Sequence, residues 1–187
     1  TGLTSTVTQK NFLDYGKYKT VAERARTAAP GVRTALFGKW GVGHFDVNMP
    51  NLAGFSHYAG NLNPAIPDYF NFQKTVDGVT SSHTTYATTD VVDDAVAWLR
   101  EQKGKRFLAF VTPNAAHSPV HRPPNELLTA ERIAALDAVA TPPEKFGDEG
   151  AIDYFAAMIE AIDHELGRLL EDVDLDTTMV VVMGDNG

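Results

Sequence analysis

Arg106-Phe107-Leu108-Ala109-Phe110-Val111-Thr112 is a near-continuous apolar run that ends at Pro113-Asn114-Ala115-Ala116-His117-Ser118-Pro119. Neither side of it alternates to polar residues. That is the pattern of a strand buried on both faces, as in a parallel sheet covered by helices. Just upstream, Val92, Ala95, Val96 and Leu99 form one apolar stripe in a predicted helix over residues 89–103. Thr89 or Asp90 can cap that helix and Gly104 stops it. Thr34 to Phe37 repeats the strand pattern and runs into Gly38-Lys39-Trp40-Gly41. Downstream, residues 177–183 (Thr-Thr-Met-Val-Val-Val-Met) predict another buried strand, ending at Gly184-Asp185-Asn186-Gly187. Helices are expected over residues 18–29, 123–136 and 152–172. The last carries Ile152, Phe155, Ile159, Ile162, Leu166, Leu169 and Leu170 on one face. Strands alternating with helices predict an α/β fold, a mostly parallel sheet sandwiched by helices. Residues 42–89 read as a long, functional excursion with a few short strands, packed because it is rich in aromatics. Residues 140–150 read as a surface loop.

Composition narrows the functions. The chain has 187 residues, which suggests one domain or a large part of one at ~100–200 residues per domain. It has no cysteine, so it carries neither a disulfide nor a thiolate metal site. With 16 Lys+Arg against 24 Asp+Glu, the net charge is -8. That balance argues against nucleic acid or an anionic membrane surface as partner, since both need clustered cations. No apolar run approaches the ~20 residues of a membrane span. Residues 1–10 lack the apolar core of a signal peptide. Both ends read as cut rather than finished.

In open α/β sheets, ligands bind beyond the carboxyl ends of the strands. Three predicted strands deliver polar residues there: Lys39 after the first, Asn114 and His117 after the second, Asp185 and Asn186 after the third. Lys39 could neutralise an anionic oxygen as a point charge. Taken alone, it reads more readily as a solvated loop lysine. His117 could donate to an anion or protonate a leaving group near neutral pH. Taken alone, it reads as a turn or packing histidine. Asp185 and Asn186 are oxygen donors of the kind Ca²⁺ or Mg²⁺ prefers, though Ca²⁺ takes about six or more oxygens. Asp-Asn-Gly is also an ordinary turn sequence. The convergence of three clusters on one rim is what points to a site. No histidine spacing marks a transition-metal centre: His117 and His121 stand four apart, but Pro119 opposes a helix between them.

Gly38-Lys39-Trp40-Gly41-Val42-Gly43 resembles the Gly-Lys-Trp-x-x-Gly signature of the type I, formylglycine-dependent sulfatases, members of the alkaline-phosphatase-like superfamily. The stretch Gly54-Phe55-Ser56-His57-Tyr58-Ala59-Gly60 is similar to that family's Gly-Phe-Asp-x-Phe/Tyr-x-Gly. Asn114 to Pro119 resembles Asn-x-Pro-His-x-Pro. Tyr154, Asp163 and Gly167 match the family's Tyr…Asp…Gly helix, and Gly184-Asp185-Asn186-Gly187 is similar to Ser-Asp-Asn-Gly. The motifs occur in family order over nearly the whole chain.

The resemblance implies hydrolysis of a sulfate ester by a formylglycine hydrate, with a divalent cation, usually Ca²⁺, holding the sulfate. It implies that Lys39 and His117 contact sulfate, with His117 near the leaving group, and that Asp185 and Asn186 ligate the cation. Gly41 stands where many members carry a histidine; His44 is a possible local substitute as a substrate contact. Ser56 replaces the usual Asp and Ala116 the usual Pro. Neither the Cys/Ser-x-Pro-x-Arg modification motif nor the family's N-terminal Asp-Asp pair occurs here. The formylglycine is therefore expected upstream of residue 1, and residues 1–187 are expected to be the central part of one catalytic domain, inactive in isolation. The implied partner is a small-molecule or carbohydrate sulfate ester, and the implied location periplasmic or extracellular. Two other readings stand beside this one. One is a phosphonate monoester hydrolase or phosphodiesterase of the same superfamily; the other is a non-catalytic α/β module that binds an anion or a partner.

Overall fold

Strand β1 (Arg33–Gly38) is buried along its whole length except for its first residue. A computed structural model of the chain, describing residues 18–42 and 46–184, shows why. β1 lies inside a five-stranded sheet of order β4-β3-β2-β1-β5. The other strands are β2 (His57–Gly60), β3 (Phe72–Val76), β4 (Val79–His83) and β5 (Phe107–Thr112). β1 pairs in parallel with β2 on one side and β5 on the other, while β3 and β4 form an antiparallel hairpin at one edge.

The pleat sends alternate side chains to opposite faces, and helices cover both. Ala35 and Phe37 of β1 join Phe107, Ala109 and Val111 of β5 against α3 (Ala87–Glu101) and α5 (Ala151–Leu170). Leu36 and Phe110 point the other way. They meet Ala22 of α1 (Val21–Ala28) and Met49 of the one-turn α2 (Met49–Leu52). The predicted α/β layering therefore holds.

The expected helix over residues 18–29 is α1, started by a capping box in which Thr20 and Glu23 satisfy each other's backbone N–H groups. Residues 123–136 divide into a short 3₁₀ turn, Asn125–Leu127, and α4 (Ala130–Asp137), which Thr129 caps. The excursion over residues 42–89 holds β2, β3 and β4 and has its own apolar centre: Ile66, Tyr69, Phe72 and Tyr86 close onto Met158 and Ala161 of α5.

Three expectations are corrected. Thr89 and Asp90 do not cap α3; its N-cap residue is Tyr86, with no side-chain cap. Both lie inside the helix because they have other partners. The Thr89 hydroxyl donates to Glu165 Oε1 at 2.5 Å. Asp90 and Asp94 clasp the buried ammonium of Lys74 on β3, and Asp90 lies 3.1 Å from His83 Nδ1. Second, the buried face of α5 is only partly the predicted Ile-Leu stripe: Leu169 is buried and Leu166 packs against the core, but the amino-terminal half of the stripe is not buried. Tyr154, Ala157, Met158, Ala161, Glu165 and Leu169 are buried, while Ile152, Phe155 and Ile159 are exposed. Small residues let α5 approach its neighbours closely, and Glu165 is satisfied inside by Thr89 and Arg168. Third, residues 177–183 form no strand. Met179 is 88% exposed and Val182 82%. A strand needs neighbours for its N–H and C=O groups, and β5 pairs with β1 only, among the described residues. Among the described residues, no helix is long and apolar enough to cross a membrane.

Candidate active site

Parallel pairing of β1 with β5 runs in register from Arg33↔Phe107 to Gly38↔Thr112. Both chains therefore leave the sheet at the same rim, one into Lys39 and the other into the segment bearing Asn114 and His117. This is the carboxyl end of parallel strands, where α/β sheets bind ligands.

The exit of β1 is held tightly. Gly38 has φ 100°, and a Cβ on it would stand 2.2 Å from the Thr112 carbonyl oxygen, so only glycine fits. The Lys39 N–H then donates to Thr112 O at 2.7 Å. The Thr112 hydroxyl lies 2.9 Å from the Lys39 carbonyl oxygen and 3.0 Å from that of Phe37. On the other side, Trp40 N–H donates to Asn61 O at 3.0 Å and Gly41 N–H to Leu62 O at 3.2 Å. The Trp40 ring is buried, edge-on to Phe55. The backbone of the Gly-Lys-Trp-Gly segment is thus fixed from both flanks, with the half-buried Lys39 side chain at the rim.

The exit of β5 makes a turn: His117 N–H donates to Asn114 O at 2.9 Å. Asn114 is buried, and its side-chain nitrogen has no hydrogen-bond partner among the described residues. The His117 ring is exposed. Its Nδ1 lies 3.0 Å from Ser118 O. The Ser118 hydroxyl lies 3.2 Å from the same nitrogen; a bond to the carbonyl, which only accepts, requires the proton on Nδ1 and leaves Nε2 to face outward.

Sequence reasoning missed what lies beneath this turn. The Tyr69 hydroxyl donates to the His117 carbonyl oxygen at 2.8 Å. The His121 ring stacks on Tyr69 with centroids 3.8 Å apart, and His121 Nε2 lies 2.9 Å from the Tyr86 hydroxyl. Burial pushes the Tyr86 phenol up to about 12, raises Tyr69 and lowers His121, so all three stay neutral near pH 7. The density of aromatics in residues 42–89 was the one signal for this cluster.

His44, Asp185 and Asn186 lie outside the described residues. Among the described residues, no three His, Cys, Asp or Glu side chains gather as a metal-ligand cluster. A depression of about 720 Å³, lined by Glu23, Arg26, Arg33 and Ser56, opens at the amino-terminal end of β1. That is the opposite end of the strands from Lys39, and its mixture of charges converges on no single group.

Known proteins share this fold. The fold is similar to that of a protein from a Bacteroides thetaiotaomicron locus for glycosaminoglycan metabolism (TM-score 0.64, 15% identity, covering 89% of this chain and 40% of that one). Ps i-CgsB is also similar (TM-score 0.57, 22% identity, 76% of this chain and 34% of that one). So is BT4656, solved with its substrate D-glucosamine-2-N,6-O-disulfate (TM-score 0.55, 17% identity, 86% of this chain and 47% of that one). The chain thus spans under half the length of each. A family profile described as Sulfatase matches residues 7–187. With that match over almost its whole length, the chain belongs to the sulfatase family.

Proposed function

We propose that this chain is part of a sulfuric ester hydrolase in which Lys39 binds a sulfate oxygen and His117 protonates the leaving oxygen. The observation that carries the reading is the parallel β1–β5 pairing, which puts both residues on segments leaving one rim. An ammonium group there offsets the charge of a tetrahedral anion within an otherwise acidic chain. The His117 ring has Nδ1 engaged by its own turn, which leaves Nε2 for the substrate. His44 is proposed as a further substrate contact. Asp185 and Asn186 offer a carboxylate and an amide oxygen, the hard donors that Ca²⁺ or Mg²⁺ takes, and would hold that cation. The cation would offset charge on the transferring group, and the formylglycine hydrate would supply the nucleophilic oxygen.

The substrate class to try first is a sulfated saccharide. BT4656 takes a disulfated glucosamine, and Ps i-CgsB was solved with a neocarrahexaose. The test is turnover by the full-length enzyme with Lys39→Ala and His117→Ala, on an aryl sulfate and an aryl phosphate diester side by side. Lys39→Ala is expected to lose about 100-fold in kcat/KM on the sulfate ester, and His117→Ala about as much where the aryl leaving group is unactivated. Unchanged turnover in both sinks the site, and faster wild-type turnover of the diester makes the enzyme a phosphoryl hydrolase.

A further inference from the structure

We propose that Tyr69 is a positioning residue for His117, holding the His117 turn by its main-chain carbonyl while the His121 ring clamps Tyr69 from the same loop. The inference rests on the reading of His117 as proton donor.

His117 sits in a segment that is neither helix nor strand, and its ring is exposed. Its N–H bond to Asn114 closes only a local turn. The Tyr69 hydroxyl, 48 residues away in sequence, reaches the His117 carbonyl from below. Tyr69 is itself fixed. It is 1% exposed, and its carbonyl accepts from the Ala87 N–H at the first residue of α3. The loop then returns to the same ring: His121 stacks on Tyr69, with an interplanar angle of 25°. One tyrosine thus meets the loop at both residue 117 and residue 121.

The polar atoms of this cluster are assigned without conflict. His121 Nδ1 lies 3.1 Å from Pro119 O, which only accepts, so Nδ1 carries the proton. His121 Nε2 then accepts from the Tyr86 hydroxyl at 2.9 Å. Burial disfavours the charged form of all three side chains, so Tyr69 and Tyr86 remain donors and His121 remains neutral. Packing alone would need none of these hydrogen bonds. Their joint effect is to tie a solvent-facing loop to the start of a well-buried helix, the rigid support that a proton donor requires.

The test uses the full-length enzyme and two substrates, an activated 4-nitrophenyl sulfate and an unactivated sugar sulfate. Protonation of the leaving oxygen matters chiefly for the second. Tyr69→Phe keeps the ring and its stack and removes only the hydroxyl. It is expected to lower kcat about 10-fold on the sugar sulfate and only about 2-fold on the nitrophenyl ester, with KM little changed. His121→Phe, which keeps a stacked ring, should move kcat in the same direction and serves if Tyr69→Phe folds poorly. Equal losses on both substrates, or none, overturn the inference if His117→Ala itself shows the leaving-group dependence. A His117→Ala enzyme lacking that dependence overturns the reading of His117 as proton donor, and this inference with it.

Discussion

β1 and the segment 177–183 are written in the same apolar vocabulary and meet opposite fates. Thr34, Ala35, Leu36 and Phe37 are buried between two parallel neighbours, with helices above and below. Met179, Val181, Val182 and Met183 are exposed, with no strand beside them among the described residues. Intrinsic preference for the extended state does not separate the two. What separates them is whether neighbouring chains accept the backbone hydrogen bonds and cover the side chains. β5 stands between these extremes: among the described residues it is paired on one edge only, and it is half-buried along its length.

The largest expected contrast is between Phe37→Ala and Val182→Ala. Phe37 is wholly buried and packs edge-on against Trp98. In urea unfolding of the 187-residue chain, truncating Phe37 should cost about 3–5 kcal/mol, whereas Val182→Ala should change stability by under about 0.5 kcal/mol. A Val182→Ala loss near that of Phe37→Ala would mean that residues 177–183 are packed after all, and the contrast would fall. Glu165→Ala probes the α3–α5 contact that helps cover β1. It removes the acceptor of Thr89 and Arg168 from an interior site. A loss of about 2 kcal/mol is expected, softened because Arg168 keeps Asp93. A thermal melt that does not shift would show that the buried carboxylate adds nothing.

The smallest effect concerns the far side of β2. Burial alone would raise Asp77, but hydrogen bonds from Asn51, the Tyr58 N–H and His57 together hold its carboxyl below the usual range. A lowered native value means that the stabilisation is complete above the unfolded carboxylate value and is lost as pH falls through the native one. The advantage of the wild type over Asp77→Asn should therefore shrink on acidification below about pH 4. It should stay under about 1 kcal/mol, because the 44% exposed side chain is screened. An advantage that grows in acid would contradict the sign.

Much of the site frame was legible locally. Lys39 and His117 each follow an apolar strand, and the parallel register places those strand ends together as the sequence pattern predicted. The stripe Val92, Ala95, Val96 and Leu99 is buried as read. The support beneath His117 was not legible, because the bonds that make it join residues 48 and 35 apart. The cap of α3 misread for a related reason. Thr89 and Asp90 are good capping residues locally, but Glu165 and Lys74 claim them from distant elements.

The amino-acid sequence by itself determined β1, β5 and the helices around them, the two rim segments and the family, because periodicity and short motifs are properties of neighbouring residues. Tertiary structure alone decided which apolar runs became core. It buried the Ala-Met-Tyr face of α5 rather than Ile152, Phe155 and Ile159, and gave residues 177–183 no strand partner among the described residues. The physical reason is that burial depends on the partner as much as on the segment. An apolar surface leaves water only where another fits against it closely and every enclosed polar group finds its bond.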